Sequence, residues 1–235
     1  MVSLHEVILY KDCPLRWKLS KEGVYKPVRE KQVFGDAIHD VLTWAYLETL
    51  ADKMPSPERV IEYFLSAWPD VEGDLREKTI EVLAHYVNDV MKYTKPKDVS
   101  RLVSIPIDDK ESLNFYVDLI AEDEDGDLWI DFRTSHRSLT DREARFDTKL
   151  SAFACALETS GEKGRVGLDV LVRLKRSTKA YRLLSERTEE DIDRFKAMLQ
   201  GVLKGMREGI VYPHESVLCA GCDFYGLCFG EEGEE

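Results

Sequence analysis

The stretches Leu113-Asn-Phe-Tyr-Val-Asp118-Leu-Ile-Ala121 and Leu128-Trp-Ile-Asp131-Phe-Arg133-Thr134 decide how this chain folds. Both are short runs rich in β-branched and aromatic residues, and the Asp125-Gly126 pair between them is a strong hairpin turn. Side chains alternate along a strand, and opposite residues share a face. With a two-residue turn at Asp125-Gly126, Glu124 pairs with Asp127, Asp118 faces Arg133 and Ile120 faces Asp131. Asp118, Asp131 and Arg133 then project from one face, the two carboxylates a diagonal apart. Each acid sits inside an apolar strand, where an unpaired carboxylate is expensive. Either a divalent cation held through the carboxylate oxygens or Arg133 alone must compensate them.

Upstream of this hairpin the texture is helical. Residues 3–20 read as a short helical lead-in, and Phe34–Leu50 places Ile38, Val41, Leu42, Ala45 and Tyr46 on one helical face. Pro55 and Pro57 end that helix, further helices lie near 57–67 and 74–93, and Pro96 closes the section. A strand over Leu102–Ile107 precedes the hairpin strands, Ser112–Ala121 and Leu128–Thr134. Downstream come a helix over 141–159, strands Val166–Leu174 and Ala180–Leu184, and a helix near 188–208. That order is α/β, with no internal repeat.

Three of the five cysteines form Cys219-Ala-Gly-Cys222-Asp-Phe-Tyr-Gly-Leu-Cys228. The C-x2-C spacing lets two thiolates reach one metal centre from a tight turn, and Cys13, in the polar setting Lys11-Asp-Cys-Pro14, is the natural fourth ligand. Cys155 lies in an apolar helical stretch and reads as a small buried residue. Four thiolates hold zinc or an iron–sulfur cluster, and spacing alone leaves both open. Such a centre joins the two ends of the chain. The expected organisation is one domain over 1–235, in which 1–33 and 209–230 form the metal subdomain, 34–97 a helical part and 98–208 the α/β core.

Lys and Arg total 33 against 45 Asp and Glu, a formal net charge of −12 with pI about 5.0. The 43% hydrophobic and 33% charged fractions exclude a disordered chain, and no apolar run approaches the roughly 18 residues of a membrane span. The N-terminus lacks the charged start and small-residue cleavage site of a signal peptide, so a soluble cytoplasmic protein without a membrane partner is expected. The net charge argues against coating by nucleic acid through bulk electrostatics. Positive charge is instead local: Lys163, Arg165, Arg173, Lys175, Arg176, Lys179, Arg182 and Arg187 outnumber Asp169 and Glu186 between 163 and 187. With His136, Arg137 and Arg142, the segment Arg173, Lys175, Arg176 and Lys179 supplies candidate phosphate contacts.

Together these pieces resemble the RecB-like branch of the PD-(D/E)XK nucleases, and within it the iron–sulfur members: CRISPR-adaptation nucleases and the nuclease part of AddB-type repair enzymes. Leu9-Tyr-Lys-Asp-Cys-Pro-Leu-Arg-Trp17 looks like the family's opening segment, and Phe34-Gly-Asp-Ala-Ile-His39 like its helical histidine motif. Val117-Asp118 and Ile130-Asp-Phe-Arg-Thr-Ser135 look like the two strand motifs, and Thr148-Lys-Leu-Ser-Ala-Phe153 stands where the family usually has Gln-Leu-x-x-Tyr. The resemblance implies a restriction-endonuclease-like core, a central mixed sheet flanked by helices, with an N-terminal helical cap and a C-terminal iron–sulfur knot. It implies that Cys13, Cys219, Cys222 and Cys228 hold a 4Fe-4S cluster, and that His39, Asp118, Asp131 and the Phe132 carbonyl bind Mg2+ or Mn2+. The implied activity is phosphodiester hydrolysis, as an exonuclease on single-stranded DNA in CRISPR adaptation or DNA repair, with DNA and a CRISPR integrase or repair helicase as partners.

Two positions depart from the family pattern. The catalytic lysine is replaced by Arg133, which stays protonated and accepts no proton. The helix glutamine is replaced by Lys149, whose side chain is expected to bring its ammonium to the place of the missing lysine. Asp118, Asp131, Arg133 and Lys149 are therefore the expected catalytic set. The alternative is an impaired nuclease fold that serves as a DNA-binding or assembly module.

Overall fold

The computed structural model describes residues 1–24, 30–108, 111–124 and 126–230. Asp125 of the expected turn and the acidic tail Glu231–Glu235 lie outside the described residues.

A mixed sheet runs through the centre in the order β1(Val2–Ser3), β3(Ser112–Asp123), β4(Gly126–Ser135), β5(Gly164–Arg173), β6(Thr178–Ser185), with β2(Pro96–Pro106) paired along β3. β1 with β3 and β4 with β5 are parallel, and the remaining pairs are antiparallel. One face buries Phe34, Ile38, Val41, Leu42 and Tyr46 of α3(Glu30–Leu50), Val60 and Phe64 of α4(Pro57–Ala67), and Val82, Leu83 and Tyr86 of α5(Gly73–Asp89) against Leu119, Ile130 and Phe132. The other buries α1(Leu4–Asp12), α7(Thr148–Ser160) and α8(Glu189–Arg207) against Val117, Ile120 and Trp129, with Trp17 of α2(Pro14–Lys21) in the same cluster. This is the α/β architecture expected from the sequence, a sheet with helices on both faces.

Several elements differ from their sequence reading in ways that matter for the site. The helical lead-in breaks at Cys13, whose extended backbone ends α1 and starts α2 at Pro14, a residue suited to a first helical turn. The helix expected over 141–159 is two: α6(Asp141–Arg145) stops at Phe146, and the Asp147 side chain accepts the Leu150 N–H to begin α7. α5 ends at Asp89 and a 3-10 turn follows over Met91–Tyr93, so β2 begins at Pro96 rather than Leu102. β1, two residues long, carries no pattern that sequence periodicity can register.

The hairpin register is shifted. Glu122, not Glu124, faces Asp127, and Ile120 faces Trp129 instead of Asp131. The slip is of two residues, so every side chain keeps its face. Gly126 does not serve as a turn residue. Its φ of +125° and a bare Cα let the Lys163 carbonyl approach to where a Cβ would stand 2.5 Å away, and that carbonyl accepts the Asp127 N–H at 3.1 Å.

Candidate active site

The β3–β4 ladder runs from Asp123 and Gly126 to Leu119 and Ile130, and there it ends. Beyond it, β4 continues along β5 as far as Ser135 with Val172. Phe132 would otherwise lose a partner on its β3 side. Asp118 supplies one: its Oδ2 accepts the Phe132 N–H at 2.9 Å. The acid thus bridges the splayed strands through its carboxylate, and Asp131 is buried beside it at 3% exposure.

Helices from both faces close on this point. α7 places Lys149 in its first turn, and the ammonium contacts Asp131 Oδ1 and lies 3.3 Å from Asp118 Oδ2. α3 brings His39 Nδ1 to 3.7 Å from Asp118 Oδ1 and its ring to 5.8 Å from that of Phe132. Gly35, one turn earlier, faces Thr134 of β4, where a Cβ would stand in ordinary contact 3.4 Å from Oγ1. Arg133 turns back on its own strand and donates from Nε and Nη2 to Asp131 Oδ2 at 3.1 and 2.6 Å. Its Nη2 also reaches Asp147 Oδ2 at 3.0 Å.

The two acids are electrostatically unlike. Burial by itself pushes Asp131 up, but the charges of Lys149 and Arg133 and their hydrogen bonds outweigh it and hold the carboxyl well below the usual carboxylate range. Burial, and then the facing charge of Asp131, push Asp118 up, against Lys149, His39 and the Phe132 N–H. Burial disfavours the Lys149 ammonium, yet the two carboxylates overcome it and raise its pKa. Arg133 is raised by Asp131 above all. Lys149 and Arg133 are therefore both cations here, and neither is poised to accept a proton.

Oxygen and imidazole donors from Asp118, Asp131, His39 and the Phe132 carbonyl suit a hard divalent ion. As they stand, however, no group of three or more His, Cys, Asp or Glu side chains among the described residues is arranged to hold a metal ion. At the active site the Lys149 ammonium lies against both carboxylates.

The cysteines meet the same finding. Cys13, Cys219, Cys222 and Cys228 all line one cavity of about 100 Å³ between the Cys13 junction and the 3-10 turn and short helix α9(Tyr225–Phe229) near the other end. Their sulfurs do not form a closed ligand shell. Cys13 Sγ accepts the His214 N–H and Cys219 Sγ the Ser216 N–H, each at 3.4 Å. Cys155 is buried in α7, as its setting suggested.

The expected DNA-facing residues divide. Lys175, Arg176 and Lys179 are exposed around the β5–β6 turn, and His136 and Arg142 are exposed near α6. Arg137 is exposed but paired with Glu143. Arg173 is set differently from these. It is mostly buried, pairs with Glu30, lies 3.9 Å from Asp74 and covers the Phe34 ring at 5.5 Å. Arg182 is likewise internal, with Nε 2.6 Å from Oδ1 of the fully buried Asp169. Charge counting along the sequence cannot see partners that arrive from α3, α5 and the neighbouring strand.

Two features went unread in the sequence. Asp147 resembles any helix N-cap, and only its approach to Arg133 ties it to the site. Behind Phe132, Tyr86 donates to Asp169, Tyr46 and Tyr86 share a 2.8 Å hydrogen bond, and both rings pack on the Phe132 ring. A buried acid one strand from Asp131 was the available signal, since Asp169 pairs in register with Phe132.

A mixed sheet whose ladder ends at two neighbouring acids thus gathers a lysine and a histidine from opposite helical layers at one margin. The chain belongs to the PD-(D/E)XK nuclease superfamily, whose family model matches residues 2–229. Nucleases of this superfamily use divalent metals such as Mg2+. Among solved structures, a candidate exonuclease from Eubacterium rectale is 14% identical with a TM-score of 0.58, over 94% of this chain and 86% of that one, a likeness of fold. The structure of SSO0001 is 12% identical over 99% of this chain and 87% of that one, with a TM-score of 0.43 that carries no argument. No curated protein matches the chain in sequence. No described helix is long and apolar enough to cross a membrane.

Proposed function

We propose that the chain is an active Mg2+- or Mn2+-dependent deoxyribonuclease in which Lys149 does the work of the motif lysine replaced by Arg133. The observation that carries this reading is the Lys149 ammonium, which reaches Asp131 and stands 3.3 Å from Asp118 while Arg133 is tied to Asp131 and Asp147. Asp118, Asp131, His39 and the Phe132 carbonyl would hold a divalent ion, which would supply polarisation of the scissile phosphate and a lowered pKa for an attacking water. Asp118 and Asp131 orient that ion, Lys149 gives up its contact with them and turns to the developing phosphate charge, and Arg133 keeps Asp131 ionised and in place. Exonuclease action on single-stranded DNA is the preferred mode, in keeping with the candidate exonuclease of like fold. Its setting, CRISPR adaptation or DNA repair, rests on the sequence resemblance alone. We assign the four-cysteine cavity to a 4Fe-4S cluster that ties the chain ends together, a reading that rests on the family resemblance and on the single cavity that all four cysteines line.

The test is cleavage of labelled single- and double-stranded DNA with Mg2+ or Mn2+, on protein purified without oxygen. Wild type cleaves and Asp131→Ala does not. Lys149→Gln is inactive, and adding Arg133→Lys, which returns lysine and glutamine to their usual family positions, restores activity. A wild type that cleaves nothing overturns the reading in favour of a DNA-binding module. A wild type as active as Lys149→Gln overturns the role of the lysine.

A further inference from the structure

Phe146 is 74% exposed, although it stands in a turn held by several hydrogen bonds. Its own N–H reaches the Glu143 and Ala144 carbonyls as α6 closes, and the next residue, Asp147, donates its N–H to Ala144 at 3.2 Å. Arg187 holds the same turn from below. Its Nη2 donates to the Ala144 and Asp147 carbonyls at 2.8 and 3.2 Å, and its Nε to Ser151 Oγ at 3.1 Å. The Asp147 carboxylate then joins the turn to the site, through Leu150 N–H on one oxygen and Arg133 on the other. An aromatic ring left in water on a fixed turn, one residue from a group that touches Arg133, has no part in the core. Its position in sequence also excludes a hydrophobic staple, since the residue that would pair with it, Ser151, is polar and engaged with the Asp147 carbonyl and Arg187.

We infer that Phe146 is a stacking platform for a nucleobase of the single strand whose backbone enters the Asp118–Asp131 site. A ring presented on a fixed turn loses little freedom on stacking, and every base offers a π-face, so the contact favours unpaired strands without reading sequence. In a duplex the base faces are already covered by their neighbours, so the platform discriminates against paired DNA. The inference rests on the nuclease reading for the identity of the strand, but the two can fail separately.

The experiment compares Phe146→Ala, Phe146→Leu and Phe146→Trp with wild type on a labelled single strand, on the same strand carrying a run of abasic positions, and on duplex. All variants keep the wild-type Tm, because the ring is exposed. Phe146→Ala raises KM for the intact single strand about tenfold, the size of one base stack, while kcat and duplex cleavage stay unchanged. Phe146→Trp behaves as wild type and Phe146→Leu as Phe146→Ala. On the abasic strand the wild type falls to the level of Phe146→Ala, and the variant loses nothing further. Phe146→Leu matching wild type, or Phe146→Ala losing equally on intact and abasic strands, overturns the stacking role while leaving the nuclease standing. If wild type cleaves nothing, the nuclease reading falls, and the same comparison is made by fluorescence anisotropy of the labelled strands in Ca2+. There, a tenfold weaker binding by Phe146→Ala confined to the intact strand supports stacking, and equal binding refutes it.

Discussion

Replacing Lys149 with methionine keeps the unbranched stem as far as Cε and removes the ammonium that two buried carboxylates share. At an effective dielectric near 20, a unit charge about 4 Å from a carboxylate is worth roughly 4 kcal/mol, and burial of the ammonium offsets part of that. Removing one partner of a buried pair costs about 3–5 kcal/mol. The low end applies here, because Arg133 still holds Asp131 and because Asp118, already pushed up by burial, can take a proton. For a chain of 235 residues the entropy of unfolding is about 0.5 kcal/mol per degree. A loss of about 3 kcal/mol therefore lowers Tm by roughly 6 °C in buffer containing chelator. With Mn2+ the order reverses in one respect: two acids without a competing ammonium bind the ion more tightly, so the apparent Mn2+ affinity of Lys149→Met rises about tenfold or more, the effect of little more than 1.4 kcal/mol of relieved competition. Cleavage falls by about a hundredfold or more, as for loss of one preorganised charge at the reacting phosphate. Thermal unfolding with chelator and with graded Mn2+, together with single-turnover cleavage, reads all three quantities. An unchanged Tm in chelator, or unchanged cleavage, refutes the assignment of Lys149 to the centre of the site.

Tyr86→Phe removes the hydroxyl that Asp169 accepts and is expected to cost about 1.5–3 kcal/mol in denaturant unfolding, as for a hydrogen bond to a charged group. The same residue has an alkaline signature. Burial above all, then the Asp169 charge, raise the Tyr86 pKa well above 10.0, so its contribution to stability is complete below pH 10.0 and is lost as pH rises through the folded value. Tyr86→Phe should flatten that alkaline decline, and an identical slope in the two proteins argues against it. Arg173→Ala lowers Tm and leaves single-strand affinity unchanged, whereas alanine at Lys175, Arg176 and Lys179 lowers the salt dependence of binding by up to about 0.7 for each phosphate no longer neutralised; a binding defect in Arg173→Ala would reverse the distinction. Cys13→Ser, like Cys222→Ser, should abolish a brown absorption near about 400 nm and lower Tm, since either breaks the tie between chain ends. Zinc in place of iron, found by metal analysis of anaerobically purified protein, would correct the cluster assignment.

The face shared by Asp118 and Asp131 was legible because strand alternation is a local rule, and it survived an error in register because the slip was even. The register itself was not legible. Gly126 looks like a turn glycine, and what claims it is the carbonyl of Lys163, a neighbour 37 positions along the chain that only the folded sheet provides. The helix that carries His39 was readable from apolar spacing and His39 itself only from the family resemblance, while its 3.7 Å approach to Asp118 depends on how α3 packs on the sheet. Lys149 could be placed by its motif and by the direction of its helix. Asp147 and Phe146 could not, because in sequence they belong to an apparently continuous helix over 141–159, and the break between α6 and α7 comes from capping and from Arg187, 40 residues away from Asp147.

One consequence of the strand splay concerns how any inactive variant is to be read. Asp118 is at once an acid of the site and a surrogate for the missing strand, since its carboxylate satisfies the Phe132 N–H that the ladder abandons. Truncating it to alanine strips a backbone donor of its acceptor, at a cost of about 1–3 kcal/mol for a buried group, and unsettles the peptide that joins Asp131 to Phe132. Loss of activity in Asp118→Ala therefore mixes chemistry with local unravelling of the sheet margin. Asn at 118 retains a carbonyl oxygen for the Phe132 N–H and removes only the charge. In this protein the margin of the sheet and the proposed reactive centre are one object, and the chain cannot alter one without re-tailoring the other.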